Sequence, residues 1–400
     1  MKISIIQPTR NNLKYLKWSY EALRKNQGDH TVEICIADDA STDGTWEWCQ
    51  QILNEDVHFK CIRNEGPNRL GHTILYDRLV NEVASHDVCM IYHADMYLCP
   101  GALDAIEKHI KDKTIVSLTR IEPPLHPPGP EKVFLDWGAT EPEDFNEDKF
   151  LDWFSKLERK EPTIGIFAPW AFMKKDFQEI GGHDELYAPQ SKEDSDIFNR
   201  FALNKVKFIQ TWEGFVYHMT CRGSRFNPTL TTPGKNSNEW EEQNQRSTRN
   251  FIRKWGSMVK HDPLMNPIIP HKYNVAFVVE NCNLMLLQLL EPWCDRIYVQ
   301  ERFEVGRSHD YIEMEQSNTK FDLRKRVLDI NQNDPVGEND VVVKFDARRF
   351  NQTTFDIIQN LSDIITESGG IGVFGLDCLT ITINNLETYE KDLIKIQNNK

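Results

Sequence analysis

The sequence predicts an α/β protein: a Rossmann-like, mainly parallel sheet followed by a second, smaller α/β unit. Three observations carry this. Apolar, β-rich runs alternate with segments of helical spacing through the first hundred residues. Acidic clusters stand directly after the second and fourth of those runs. The alternation then restarts after a proline-rich stretch at 261–270. Strands alternating with helices imply βαβ units, and 400 residues suggest two domains. The expected division is 1–260, a linker at 261–271, and 272–400.

The first strand is expected at Ile3 to Gln7. Asn12 to Lys25 has helical spacing, with Leu13, Leu16, Tyr20 and Leu23 on one side. Val32 to Ala37 reads as a strand. Thr45 to Leu53 reads as a helix, introduced by the turn and capping residues Ser41-Thr42-Asp43-Gly44. Phe59 to Arg63 is a strand, Gly71 to Ala84 a helix and Val88 to Tyr92 a strand. From Ile121 to Pro142 the pattern breaks, and the prolines at 123–130 exclude regular helix and inner strand, leaving a long surface loop. An apolar segment runs from Thr163 to Phe172, and Gly181 to Glu185 is a turn. Lys192 to Leu203 is a helix opened by acids, which suit a helix N-terminus. Phe208 to His218 is strand-like, and a polar helix from Asn238 to Val259 is expected to close the first domain. In the second unit, strands are expected at Asn274–Glu280, Arg296–Gln300, Val341–Phe345, Ile371–Phe374 and Leu379–Ile383, with helices at Leu284–Leu290 and Thr353–Thr366.

Composition excludes several classes. Hydrophobic content of 40% supplies a sizeable core. A net charge of −14 argues against nucleic acid, whose binders present a basic face, and against a polybasic contact with lipid. The nine cysteines include no C-x-x-C pair, which suggests reduced thiols without a disulfide framework or zinc site. The N-terminus reads as a strand and not a signal peptide, and no run approaches the roughly 20 apolar residues that span a bilayer. The expected location is therefore cytoplasmic.

The chemistry lies in three acidic clusters and a histidine. Asp38-Asp39 opens Asp38-Asp39-Ala40-Ser41-Thr42-Asp43-Gly44-Thr45, His93-Ala94-Asp95 follows the fourth strand, Glu193-Asp194-Ser195-Asp196 opens a helix, and His218 ends a strand. Open α/β sheets bind ligands beyond the carboxyl ends of their strands. A metal held there neutralises a diphosphate, so the pattern points to an enzyme using a nucleotide-activated substrate. No G-x-G-x-x-G or G-x-x-x-x-G-K-[ST] loop is present, which argues against NAD, FAD and P-loop chemistry. Asp38 and Asp39 suit hydrogen bonds to a base or ribose, and equally a cap and turn. His93, Asp95 and His218 offer ligands to magnesium or manganese, although a lone histidine is usually structural. Glu193 and Asp194 suit a general base, or simply the helix dipole. Arg222 and Arg225 offer bidentate grips on phosphate, or surface ion pairs.

Taken in order, residues 1 to about 220 resemble the family-2 inverting glycosyltransferases of the GT-A fold. The resemblance runs through Ser4 to Asn11, Asp38 to Thr45, Asn64-Glu65-Gly66, Leu70-Gly71, His93-Ala94-Asp95, Ile180 to Glu185 and Glu193 to Asp196. It implies a nucleotide-sugar donor, with a UDP-sugar favoured, and a glycan or other hydroxyl acceptor. It further implies that Thr9 and Asp39 border the nucleoside with Asp38 beside them, and that Pro8, Asn11, His93 and Glu193 belong to the substrate-binding set. Asp95 and His218 hold the divalent metal, and Asp194 is the catalytic base beside Glu193. The Gly181-Gly182 turn leads to the acceptor side, where the proline loop and the region of Trp170 and Tyr187 are expected to make contacts. Arg222 or Arg225 steadies the leaving diphosphate. The family usually carries Asp at the position of His93, and Met96 also departs from its acidic run. The competing readings are a non-catalytic sugar-nucleotide-binding or scaffold protein, which His93 favours, and a nucleotidyltransferase, which the glycine-poor Pro8 to Asn12 turn disfavours. Residues 272–400 lie outside the resemblance, and acceptor recognition, oligomerisation or docking to another enzyme are the roles expected of them.

Overall fold

The first apolar run becomes β1 (Lys2–Thr9), buried from Ile3 to Thr9 because neighbouring strands and helices cover both of its faces. The structure, a computed structural model, describes residues 1–135, 137, 141–220, 236–300, 307–331 and 335–396, with Arg307 and Val336 described by their backbone alone. By internal packing the chain forms two units. One comprises residues 1–243, His261–Pro267 and the chain end from Lys395; the other comprises Asn244–Lys260 and Ile268–Ile394.

In the first unit β1 is followed by α1 (Leu13–Asn26), β2 (Thr31–Asp39), α2 (Thr45–Glu55), β3 (Phe59–Asn64), α3 (Gly71–Arg78), β4 (Val88–Ile91), β5 (Met96–Leu98) and α4 (Ala102–His109). Then come β6 (Thr114–Glu122), β7 (Lys132–Phe134), α5 (Glu147–Ser155), β8 (Trp170–Met173), α6 (Lys174–Glu179), α7 (Glu193–Leu203), β9 (Lys207–His218) and the start of α8 (Asn238–Trp255). The sheet order is β3-β2-β1-β4-β8-β6-β9-β5, with β7 beside β6. Strands β3, β2, β1 and β4 are parallel, as expected. Strand β8 runs antiparallel between β4 and β6, and β5 antiparallel to β9. The sheet is therefore mixed on the side where the apolar pattern gives no clean alternation.

Two registers matter for the site. Strands β5 and β9 pair Met96 with His218, so Asp95 arrives beside the end of β9. Strands β6 and β9 pair Ile121 with Tyr217, which places Glu122 one rung further, beside His218. Alternation along β9 sends Tyr217 to the face opposite His218. There Tyr217 packs with Phe145 and Phe150, ring centroids 5.1 and 5.6 Å away, in an aromatic layer completed by α5. Asn146 caps that helix by accepting from the Lys149 N–H at 3.0 Å.

The second unit holds β10 (Val275–Glu280), α9 (Leu284–Leu290), β11 (Arg296–Val299), α10 (Arg307–Glu315), β12 (Val327–Asp329), α11 (Pro335–Glu338), β13 (Val341–Asp346), α12 (Gln352–Gln359), α13 (Leu361–Ser368), β14 (Gly372–Leu376) and β15 (Leu379–Ile383). Its sheet order is β12-β11-β10-β13-β15-β14, parallel through β13 and antiparallel beyond. Residues 353–366, expected as one helix, form two, because Asn360 (φ −111°, ψ 15°) leaves helical geometry. Most of α8 belongs here rather than to the first unit. Its Arg253 is buried and donates to Glu291 at 2.7 and 2.9 Å and to Glu315 at 2.9 Å. Glu291 also accepts from Tyr311 (2.7 Å) and Arg326 (2.5 Å). Buried charges persist only when paired in this way.

Candidate active site

The carboxyl ends of β1, β2, β4 and β6 open on a cavity of about 470 Å³. Its wall includes Pro8, Thr9 and Arg10, then Asp39, Arg69, His72 and Tyr76, then His93 to Asp95, then Arg120, Glu122, Lys132 and His218. Pro8, Thr9, Asp39, His93, Asp95 and His218, each expected from the sequence, thus meet in one place.

Asp39 is nearly fully buried and is organised by the N-terminus of α3. Oδ1 accepts from Asn64 Nδ2 (2.7 Å) and the Leu70 N–H (3.0 Å), and Oδ2 accepts from the Gly71 N–H (2.9 Å). A carboxylate offers about four lone-pair sites, so capacity remains on Oδ2, with Arg69 Nε 3.8 Å away. Gly71 is required here: its φ is +78°, and a Cβ would sit 2.1 Å from the Pro189 carbonyl oxygen. Thr9 presents a buried hydroxyl with no hydrogen-bond partner among the described residues.

Two residues expected in the substrate-binding set fall outside the cavity wall. Asp38 is fully buried, accepts from the Ser41 N–H (3.1 Å) and faces Arg63 (3.3 Å); its work is to hold the 38–41 turn. Asn11 clamps β1 to that turn, donating its N–H to Ser41 Oγ (2.9 Å) and accepting from the Thr42 N–H (2.8 Å). The acidic pair therefore divides its labour, one carboxylate for the turn and one for the cavity.

His93, Asp95 and His218 offer three ligand atoms within 4.8 Å of one another. His218 Nε2 lies 3.4 Å from Asp95 Oδ1, and its Nδ1 is 2.8 Å from Glu122 Oε1. Burial lowers the His93 pKa to about 4, helped by the neighbouring His218 and Arg120, so this imidazole is neutral and able to donate a lone pair. Burial also disfavours a charged His218, but Asp95 and Glu122 outweigh it and raise its pKa to about 9. At metal sites a histidine usually gives one ring N–H to a carboxylate and ligates through the other nitrogen; a cation that displaced the Nε2 proton of His218 would complete that arrangement, so the donor set fits a divalent cation. A second group, His30, Asp104 and Glu107, also satisfies ligand spacing, but Asp104 and Glu107 are exposed and far from the strand ends that form the cavity.

Glu193 and Asp194 open α7 without lining the cavity wall. Ser191 (φ 80°) and Lys192 (φ 71°) precede them, consecutive non-glycine residues in the left-handed region. Such strain costs on the order of 1–3 kcal/mol per residue and gathers at functional sites. Burial, then the charge of Asp194, raises the Glu193 pKa well above the carboxylate range. Burial raises Asp194 as well, while His183 and Arg120 pull it down. Burial raises the pKa of Tyr76 in the cavity wall, and the charges of Asp194, Glu193 and Asp95 raise it further. The Gly181-Gly182 turn aims this region. The His183 N–H donates to both Asp77 oxygens (3.1 and 3.0 Å), and a Cβ on Gly182 would lie 2.1 Å from Asp77 Oδ2.

Trp170 and Tyr187, expected on the acceptor side, are instead fully buried packing residues, and Tyr187 points its hydroxyl at Asp196 (3.4 Å). The proline loop contributes His126 to the cavity wall. Arg222 and Arg225 lie outside the described residues. The cations that do line the cavity are Arg10, Arg69, Arg120 and Lys132, none singled out from the sequence. Arg120 and Glu122 have a signal in hindsight: two charges ending the run Thr114 to Ile121, which pairs as β6.

A parallel β3-β2-β1-β4 core with carboxylates and imidazoles gathered at its strand ends defines an α/β domain of the GT-A class. Residues 4–179 match the family model for Glycosyl transferase family 2. A curated relative, the abequosyltransferase RfbV of Salmonella typhimurium, is 28% identical over 119 residues, 30% of this chain and 35% of the relative. Among solved structures, GalNAc-T7 with UDP, GalNAc and Mn2+ is similar at a TM-score of 0.44 and 14% identity, over 64% of this chain and 48% of that one. The mannosyltransferase PcManGT of Pyrobaculum calidifontis with GDP-Man and Mn2+ is similar at 0.40 and 15%, over 61% of each chain. The chain thus spans about a third of the curated relative and about half of GalNAc-T7. No helix among the described residues is long and apolar enough to cross a membrane.

Proposed function

We propose that this protein is a metal-dependent, inverting glycosyltransferase that moves a sugar from a nucleotide-diphosphate donor, a UDP-sugar by preference, to a hydroxyl of a glycan or other acceptor. The observation that carries the reading is the meeting of Asp39, His93, Asp95 and His218 in one cavity at the sheet's carboxyl edge. Asp39 and Thr9 receive the nucleoside, the free capacity of Asp39 Oδ2 and the unpartnered Thr9 hydroxyl being suited to base N–H and ribose groups. Asp194 takes the proton from the acceptor hydroxyl.

Charge balance supports metal dependence. The cavity wall holds four cationic side chains (Arg10, Arg69, Arg120, Lys132) and four carboxylates (Asp39, Asp95, Glu122, Glu131). With protonated His218 the lining carries only one positive charge in excess, a small net attraction for a diphosphate. His93, Asp95 and His218 would hold a divalent cation, which would supply charge stabilisation for the leaving diphosphate. Two imidazoles and one carboxylate suit manganese better than magnesium, which prefers oxygen ligands. His93→Asp is accordingly expected to lower the ratio of manganese- to magnesium-supported turnover by about tenfold, measured as released nucleoside diphosphate with each metal.

The test is a donor screen. Purified protein is incubated with UDP-, GDP- and dTDP-sugars, with manganese or EDTA, and released nucleoside diphosphate is quantified. Manganese-dependent release from one donor is the expected result. No release and no thermal shift with any sugar nucleotide overturns the reading, and a thermal shift without release favours a non-catalytic sugar-nucleotide-binding protein.

A further inference from the structure

We propose that Glu122, on β6, is a positioning residue that fixes the ring of His218 so that Nε2, and not Nδ1, faces the cation site beside His93 and Asp95. The inference rests on the metal-site reading above and extends it to a residue outside the ligand set.

The geometry sets Glu122 apart from a ligand. Its Oε1 is 2.8 Å from His218 Nδ1, and its Oε2 accepts from Lys132 Nζ at 3.0 Å. Arg120 Nε stands 3.4 Å from Oε1. Both oxygens are therefore engaged, and Glu122 is 2% exposed. Its placement follows from backbone register and not from a flexible side chain: the β6–β9 ladder sets Ile121 against Tyr217, and the next rung sets Glu122 against His218. An imidazole has two nitrogens of similar basicity, and the hydrogen bond at one decides which remains for a metal. With Nδ1 held by Glu122, the nitrogen left to ligate is Nε2, the atom 3.4 Å from Asp95 Oδ1. Burying a carboxylate is costly unless it is paired. Lys132 and Arg120 offset that cost here, so the carboxylate can stand behind the histidine without leaving the cavity wall.

The alternative is that Glu122 serves only the buried ion-pair network. The two differ in what metal binding reports. In the full chain, Mn2+ is titrated alone and with UDP or GDP, followed by EPR, for wild type, Glu122→Ala and Glu122→Gln, with each variant's melting temperature measured in EDTA. Replacing such outer partners typically weakens metal affinity about 10–100-fold. Glu122→Ala is expected to show that loss, and pulsed EPR is expected to show coupling to two imidazole nitrogens in wild type and to one in the variant. Glu122→Gln, which keeps a neutral acceptor in the same shape, is expected to fall between; it decides the matter if the alanine variant does not fold. Wild-type affinity and two-ring coupling in folded Glu122→Gln and Glu122→Ala overturn the inference while leaving the metal site intact. No Mn2+ binding by wild type, with or without nucleotide, overturns the metal-site reading and this inference together.

Discussion

Asp95→Ala is expected to reduce manganese-dependent turnover of the donor by about 10³-fold. A metal ion contributes several kcal/mol of charge stabilisation to a departing oxygen, and about 4 kcal/mol corresponds to three decades of rate. Asp95 is the only carboxylate in the candidate ligand group, and its Oδ1 lies 3.4 Å from His218 Nε2. Its loss leaves two neutral ligands for a hard cation that favours oxygen. The fold should survive, because the backbone of Asp95 still accepts from the Met219 N–H (3.0 Å) and Glu122 still holds His218. The check is nucleoside diphosphate release with manganese, alongside a melting curve in EDTA. Asp104→Ala supplies the control: Asp104 belongs to the other group with ligand spacing and is 75% exposed at its side chain, so turnover should be unchanged. Loss of activity in Asp104→Ala with retention in Asp95→Ala would reverse the choice of metal site.

The cavity's lining residues are legible in the sequence where they end strands that read as apolar runs. Strands β1, β2 and β4 are buried on both faces, so their ends, and with them Thr9, Asp39 and the His93 to Asp95 triplet, can be placed by inspection. Strand β6 is equally buried but hides its nature. Its Ser117 accepts from the Phe167 N–H (3.2 Å), and Thr119 donates to the Thr211 carbonyl (2.8 Å), so polar side chains satisfied by neighbouring segments imitate a solvated face. Arg120 and Glu122 therefore look like the beginning of a loop. Strand β5 has three residues, too few for any periodicity. Asp38 and Asp39 are adjacent and chemically alike, and only the position of α3 decides that one holds a turn while the other faces the cavity. Trp170 illustrates the converse. An aromatic residue near a site invites a binding role, yet its ring packs on Phe172 with centroids 4.7 Å apart, deep in the core.

Asp194→Asn is expected to lower sugar transfer by about 10²–10⁴-fold, the range of a positioned general base, while donor binding by thermal shift stays as in wild type. The amide keeps the side chain's shape and loses its basicity, so the two readouts separate base from scaffold. Glu193 and Asp194 compete for the same proton, and their surroundings divide them. Burial raises both, Asp194's charge raises Glu193 further, and His183 and Arg120 draw Asp194 down. These influences favour the proton on Glu193 over Asp194, the pattern by which paired carboxyls take different roles. Two consequences can be measured. Glu193→Gln, which imitates the protonated acid, should keep most of the rate. The base must be unprotonated to act, and burial lifts its pKa above the usual value, so kcat/KM should fall as pH drops through that raised value. In Asp194→Asn this acidic limb should be absent from the residual rate. If Glu193→Gln is the inactive variant and Asp194→Asn the active one, the roles of the two carboxyls are exchanged, and the left-handed pair Ser191–Lys192 aims Glu193 instead.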